Sequence, residues 1–403
     1  MRELVRKAID PLKIFLNDSR CTGIILLFCA LISLTLSNSF DGLFYRNFWI
    51  STIKYGNHIN LPHSGLKWIN DFLMAIFFFF AGMEIKRELL DGELSGFKKA
   101  ILPFGAALGG MIVPALIYTS LNAGSAFTHG WGIPTATDIA FSLGIASLLG
   151  KRVPGSMKIF LMALAIIDDL GAIVVIALFY GSEINWLFLF YALFIYLLLL
   201  LCNYRKIKPG FIQIVLSLAL WYMIFNSGIE ASISGVLVAF AMPVNCLPKL
   251  ENAIHKTVNF LILPLFVLAN TAILIPADIN AFNSPISMGV IMGLVIGKPV
   301  GIFLFSKIMI KLKVAKLPLN TSLKQLIGVG SLAGIGFTMS IFTTTLAFSA
   351  EVNRDIAKIS ILASLVLSII VSTSYFIILE STKSAKPVIP KATGKVSPQI
   401  ALG

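Results

Sequence analysis

The feature that most limits how this chain can fold is a run of about 20 mostly apolar residues that recurs from one end to the other. Each run is long enough to cross a bilayer as an α-helix. Twelve are expected, centred near residues 29, 77, 108, 139, 168, 193, 217, 238, 263, 297, 335 and 368. Only 13% of the 403 residues are charged and 57% are hydrophobic, whereas a soluble domain carries roughly 25% charged residues. The expected class is an all-α polytopic membrane protein, with residues 1–380 forming one transmembrane domain. The segment 381–403, "STKSAKPVIPKATGKVSPQIALG", is rich in Ser, Pro and Lys and reads as a disordered cytoplasmic tail.

A net charge of +13 could point to nucleic acid, so the placement of the 32 Lys and Arg residues decides. With the N-terminus inside, 26 of them fall on inside segments, from Arg2, Arg6 and Lys7 to Lys391 and Lys395. Arg46, Lys54, Lys67, Arg354 and Lys358 fall outside, and Lys298 lies within a span. That asymmetry is the positive-inside rule with both termini cytoplasmic, and it removes the reason to invoke nucleic acid. The first run, "TGIILLFCALISLTL", follows basic residues but has no clear cleavage site, so it reads as an uncleaved first span.

Cys21, Cys29, Cys202 and Cys246 are scattered, as are His58, His63, His129 and His255. No Walker loop, HExxH or nucleophile elbow is present, so neither a hydrolase nor an ATP-driven pump has its chemistry here. The chain reads as no enzyme and needs no cofactor.

Asp71, Asp138, Asp168, Asp169 and Lys298 remain at membrane depth. An ionised carboxylate there costs about 2.5–3.5 kcal/mol on insertion scales, so the adjacent pair in "AIIDDLGAIVV" needs a compensating role. Asp168 and Asp169 stand about 100° apart around one helix. One can pair with Lys298 while the other faces a hydrated path. A carboxylate reached by water binds either a proton or a hard cation such as Na⁺ through its oxygens. Competition at such a site is already exchange. A lone Asp71 reads as a structural group.

Two spans should break. "WGIPTATDIAFSLG" (131–144) places a proline and hydroxyls before Asp138, and "GSLAGIGFTMSIF" (330–342) has Gly334 and Gly336 followed by Thr338 and Ser340. Unwound backbone at mid-membrane leaves half-helix ends with partial charges of about half an elementary charge. Asp138 can neutralise positive ends and Lys298 negative ones. The breaks fall in spans 4 and 11, the middles of triplets 3–5 and 10–12, and these triplets run oppositely. The architecture expected is therefore twelve helices with inverted repeats and two discontinuous, crossing helices.

"FLMALAIIDDLGAIVVIALFY" (160–180), "PTATDIAFSLG" (134–144), "WINDFLMAIFFFFAGMEIKREL" (68–89), "IGKPVGI" (296–302) and "GIGFTMSIF" (334–342) resemble the signature segments of the NhaA-type Na⁺/H⁺ antiporters, over about residues 10–380. The inverted-repeat generalisation is itself drawn in part from that family and adds no independent support. The resemblance implies Asp169 as principal Na⁺ or Li⁺ ligand, Asp168 beside it able to pair with Lys298, Thr137 and Asp138 at the helix crossing, and a structural Asp71. It implies a pH-responsive cluster at the cytoplasmic mouth, supplied here by Glu84, Arg87, Glu88, Glu251 and His255. Glu230 and Asn252 stand where histidines are expected, which leaves the pH midpoint open.

Segment 45–66, "YRNFWISTIKYGNHINLPHSGL", alternates around "YGN" and reads as an external hairpin. Similar proteins dimerise through such a hairpin, so a homodimer is expected. The function implied is electrogenic extrusion of Na⁺ or Li⁺ against more than one proton. A Na⁺-coupled solute symporter of the same architecture, and a cation channel, are the rival readings.

Overall fold

The computed structural model describes residues 19–55, 60–92, 94–181, 183–207, 209–275, 282–319 and 321–384. The regular structure of these residues is helical, and an isolated antiparallel bridge between Thr52 and Ser64 is their one β-type pairing. Among them seven helices are long and apolar enough to cross a membrane: Gly65–Leu90, Lys98–Leu121, Gly155–Phe179, Trp186–Tyr204, Val244–Asn270, Pro285–Lys311 and Glu351–Thr382. Two bent pairs bring the total to nine, Cys21–Ser37 with Gly42–Ile50 at 115° and Leu323–Ala333 with Phe337–Ala347 at 52°.

The remaining expected positions carry shorter pieces. Around residue 139 stand a 3₁₀ segment, Thr128–Thr135, and a ten-residue helix, Ile139–Leu148. The seventh and eighth positions hold Phe211–Ser227 and the nine-residue Ile233–Ala241. At 1.5 Å per residue the last is less than half a bilayer long.

The segment 45–66 departs from the expected hairpin at its start, because residues 45–50 belong to the Gly42–Ile50 helix. The apparent alternation is helical spacing. Phe44 and Phe48, four apart, face outward, while Tyr45 and Trp49 meet edge to face and Tyr45 donates to the Leu268 carbonyl at 3.2 Å. Beyond it Ile53 N–H bonds His63 O at 2.8 Å, and the turn after Tyr55 lies outside the described residues. At the other end, the Glu351–Ser384 helix runs a few residues past the boundary expected at 381, and the rest of the tail also lies outside the described residues.

Local sequence sets the helix ends. Ser284 caps Pro285–Lys311 by accepting from Ser287 N–H at 3.2 Å, with Pro285 where no donor is needed. Within that helix Gly293–Gly297 forms a π turn, followed by Pro299, which has no N–H to offer. A small-residue seam then brings the helix onto Lys98–Leu121. A methyl on Gly109 would collide with the Gly301 carbonyl, and one on Gly301 with that of Gly109. This close seam holds Lys298 at the centre of the molecule, where it is fully buried.

Candidate ion-binding site

The site grows out of the two interrupted segments. Residues 136–138 are non-helical, and Asp138 starts the Ile139–Leu148 helix by accepting from Phe141 N–H at 3.1 Å through Oδ1. Its Oδ2 accepts from Thr338 N–H at 3.1 Å and from the Thr338 hydroxyl at 2.5 Å. One carboxylate thus serves the N-terminal ends of two half-helices, where orphan N–H groups and the dipole both favour a negative charge.

The interruptions also bond to each other directly. Asp138 N–H reaches the Ile335 carbonyl at 2.7 Å, and the Ser340 hydroxyl donates to Ile133 O at 2.7 Å. Gly336 permits this approach, because a Cβ there would lie 2.7 Å from the Ala136 carbonyl.

Beside the crossing, Lys298 Nζ donates to Asp168 Oδ2 at 2.7 Å and also contacts the Thr137 hydroxyl. The single hydroxyl proton of Thr137 has two acceptors in reach, Asp168 Oδ2 at 2.6 Å and Ala333 O at 2.9 Å. Ala333 ends the first half of the 323–347 pair, so the cation lies near a helix C-terminus. Asp168 and Lys298 are both fully buried, and an ion pair so placed is held by geometry: removing one partner strands the other.

Asp169 has a different setting. It lines a cavity of about 350 Å³ together with Asp138, Thr137 and Thr338. Its Oδ1 is buried and has no hydrogen-bond partner among the described residues. The same cavity is lined by Glu84, Arg87, Glu251, Asn252 and His255. Asn252 and His255 are exposed while Asp169 and Asp138 are buried, so the cavity is a funnel leading inward from the surface. At its mouth Arg87 pairs with Glu251 at 3.1 Å and with Glu88 at 3.0 Å.

Most of the residues singled out from the sequence therefore converge. Asp168 and Lys298 sit behind the cavity wall, Gly336 and Ser340 lie at the crossing, and Glu88 touches the mouth through Arg87. Asp71 stands apart. It lies on the π turn Trp68–Leu73, its carbonyl accepting from the Trp221 indole at 3.0 Å. Glu230 is an electrostatic neighbour of Asp71 and does not line the funnel with Asn252.

Sequence reasoning missed Thr22, Asn259 and Met339 in the lining. Asn259, whose amide meets His255 Nε2 at 3.0 Å, was legible as a lone amide in the apolar run "TVNFLILPLF". Also missed was Lys86, whose ammonium donates to the Phe240 and Met242 carbonyls at 2.7 and 2.6 Å. It serves the last carbonyls of the Ile233–Ala241 helix.

Among the described residues no three His, Cys, Asp or Glu side chains form a metal-holding group. A cation here would be met by carboxylate, hydroxyl and backbone oxygens, with room for its own water. That suits a hard, transported ion better than a resident transition metal.

A multi-pass helical membrane protein with a buried carboxylate at the end of a polar funnel belongs among secondary transporters. Residues 13–376 match the family model described as Na⁺/H⁺ antiporter 1, and the chain belongs to that family. It is 44% identical over 392 residues to Na(+)/H(+) antiporter NhaA 1 of Clostridium beijerinckii, covering 94% of this chain and 98% of that one. It is 45% identical over 381 residues to Na(+)/H(+) antiporter NhaA 2 of Flavobacterium johnsoniae, covering 92% and 93%. To Na(+)/H(+) antiporter NhaA of Pelagibacter ubique it is 43% identical over 395 residues, covering 94% and 100%.

Proposed function

We propose that this chain exchanges internal Na⁺ or Li⁺ for external protons, and that Asp169 is the group for which cation and proton compete. The observation that carries the reading is the contrast between neighbours. Both carboxylates keep a buried Oδ1 without a partner among the described residues, but Asp168 is held through Oδ2 by Lys298 and Thr137, whereas Asp169 has no such ion pair among them and is the one that lines the cavity. A buried acceptor without a donor is costly, and a cation or a proton relieves that cost. Asp168 acts beside it, and Asp138, Thr137, Thr338 and Lys298 hold the crossing in shape.

Family membership and the relatives' names support Na⁺ and H⁺ as the exchanged ions. Exchange is electrogenic in this account, because loading one cation beside two carboxylates and a lysine displaces more than one proton. Each net charge moved gains about 2.3 kcal/mol per 100 mV. The helical segments make twelve spans in inverted repeats, crossing at 136–138 and 334–336, in a bacterial inner membrane with both termini cytoplasmic. Glu84, Arg87, Glu88, Glu251 and His255 modulate entry at the mouth, and two copies associate through the external segment 45–66.

Purified protein in proteoliposomes carrying a pH-sensitive dye provides the test. Adding Na⁺ or Li⁺ should change lumenal pH with no other solute present, and the rate should respond to an imposed potential at fixed pH gradient. A requirement for an organic solute would make the protein a symporter. Cation flux without proton movement would make it a channel, and indifference to potential would reject electrogenic exchange.

A further inference from the structure

A second cavity, of about 390 Å³, shares no lining residue with the ion site. Its polar rim is formed by Lys98 and Lys99 at the start of the Phe97–Leu121 helix and by Lys316 in the connection before Leu323. Its wall is apolar and comes from two spanning helices, with Leu102 from one and Phe160 and Ala163 from the other. Ser156 donates to Leu319 O at 3.1 Å, so the connection bearing Lys316 is pinned to the start of Gly155–Phe179. No carboxylate among the described residues lines the cavity.

We propose that this cavity binds one anionic phospholipid, its phosphate among Lys98, Lys99 and Lys316 and an acyl chain along the wall of Leu102, Phe160 and Ala163. The combination decides the ligand. Three lysines from two elements on one rim suit a phosphate, and a soluble anion would have no use for the apolar wall running into the spanning region. Basic pockets between spanning helices at the positively charged face are where anionic headgroups are held. The inference rests on the membrane reading of these helices.

Photolabelling in phosphatidylcholine nanodiscs tests it, using phosphatidylglycerol with a diazirine in its acyl chain and peptide mapping of the product. Labelling is expected on Leu102, Phe160 and Ala163, displaced by unlabelled phosphatidylglycerol but not by glycerol 3-phosphate. In Lys98→Gln/Lys99→Gln/Lys316→Gln, three exposed changes, it should fall at least about tenfold, since each lysine adds to headgroup attraction. Ile159→Trp, which fills the cavity from its wall, should reduce it as well.

Equal labelling by a phosphatidylcholine probe, or undiminished labelling in the triple variant, would overturn the proposal. So would displacement by glycerol 3-phosphate, which would make this a site for a free phosphate. Absence of label from every lipid probe along Gly155–Phe179 would instead count against the membrane reading on which the proposal rests.

Discussion

The helix crossing and the funnel mouth hold similar numbers of charges but treat them differently. At the crossing Asp168 and Lys298 are 0% exposed and Asp138 is 3% exposed. At the mouth the Arg87 side chain is 36% exposed and that of Glu251 15%. Burial strips water from the first set, so each group depends on its fixed partners and a lost partner cannot be replaced by solvent. Water and salt reach the Arg87–Glu251 pair, although Glu88 beside it is buried, and such a partly exposed ion pair contributes less to stability. Asp169, between the two, is buried like the first set and reached by the cavity like the second, and this is what an exchange site requires.

The comparison orders the expected effects of substitution. Asp169→Asn keeps the shape and removes the charge, so Na⁺-dependent proton flux should fall to background while the protein stays folded in the membrane. Normal flux in that variant would remove Asp169 from the site. Asp168→Asn should lose flux and stability together, by about 3–5 kcal/mol, because it strands the Lys298 ammonium. Thermal unfolding in detergent measures this, and adding Lys298→Gln should recover part of the stability but not the transport. Wild-type melting of the single variant would show that the pair does not hold the crossing.

Thr338→Val removes a hydroxyl donor from Asp138 but leaves the backbone N–H, and should cost about 1.5–3 kcal/mol on the same melting assay. No change would mean that solvent reaches the crossing. The smallest effect belongs to the mouth. Arg87→Gln should change unfolding free energy by no more than about 1 kcal/mol, less at high salt. A loss as large as that of Asp168→Asn would erase the distinction between the two regions.

Much of this arrangement is legible in the amino-acid sequence alone. A carboxylate pair in lipid is so costly that Asp168 and Asp169 identify themselves, and a proline with hydroxyls, or glycines with hydroxyls, marks where a spanning helix opens. Which acid takes Lys298 was open, since 100° of rotation fixes only that both cannot share one neighbour. Packing of Gly109 on Gly301 resolves it by setting where the lysine stands. The 45–66 segment misled because "FYRNFW" alternates and also repeats every four residues. The Ile233–Ala241 helix reads as apolar whatever its length, and Lys86, which donates to its last carbonyls, is distant in sequence.

The central claim is that cation and proton compete at Asp169, and proteoliposome rates measured against Na⁺ concentration at several pH values test it most directly. Below the carboxyl's pKa the apparent Na⁺ affinity should weaken about tenfold for each unit of falling pH, since one unit is worth about 1.4 kcal/mol of proton binding. If a second proton leaves on loading, the slope should approach about a hundredfold per unit. In both cases saturating Na⁺ should largely restore the maximal rate at acid pH. A maximal rate that collapses at acid pH while the apparent affinity stays constant would contradict the claim and place pH control in the cluster of Glu84, Glu88, Glu251 and His255.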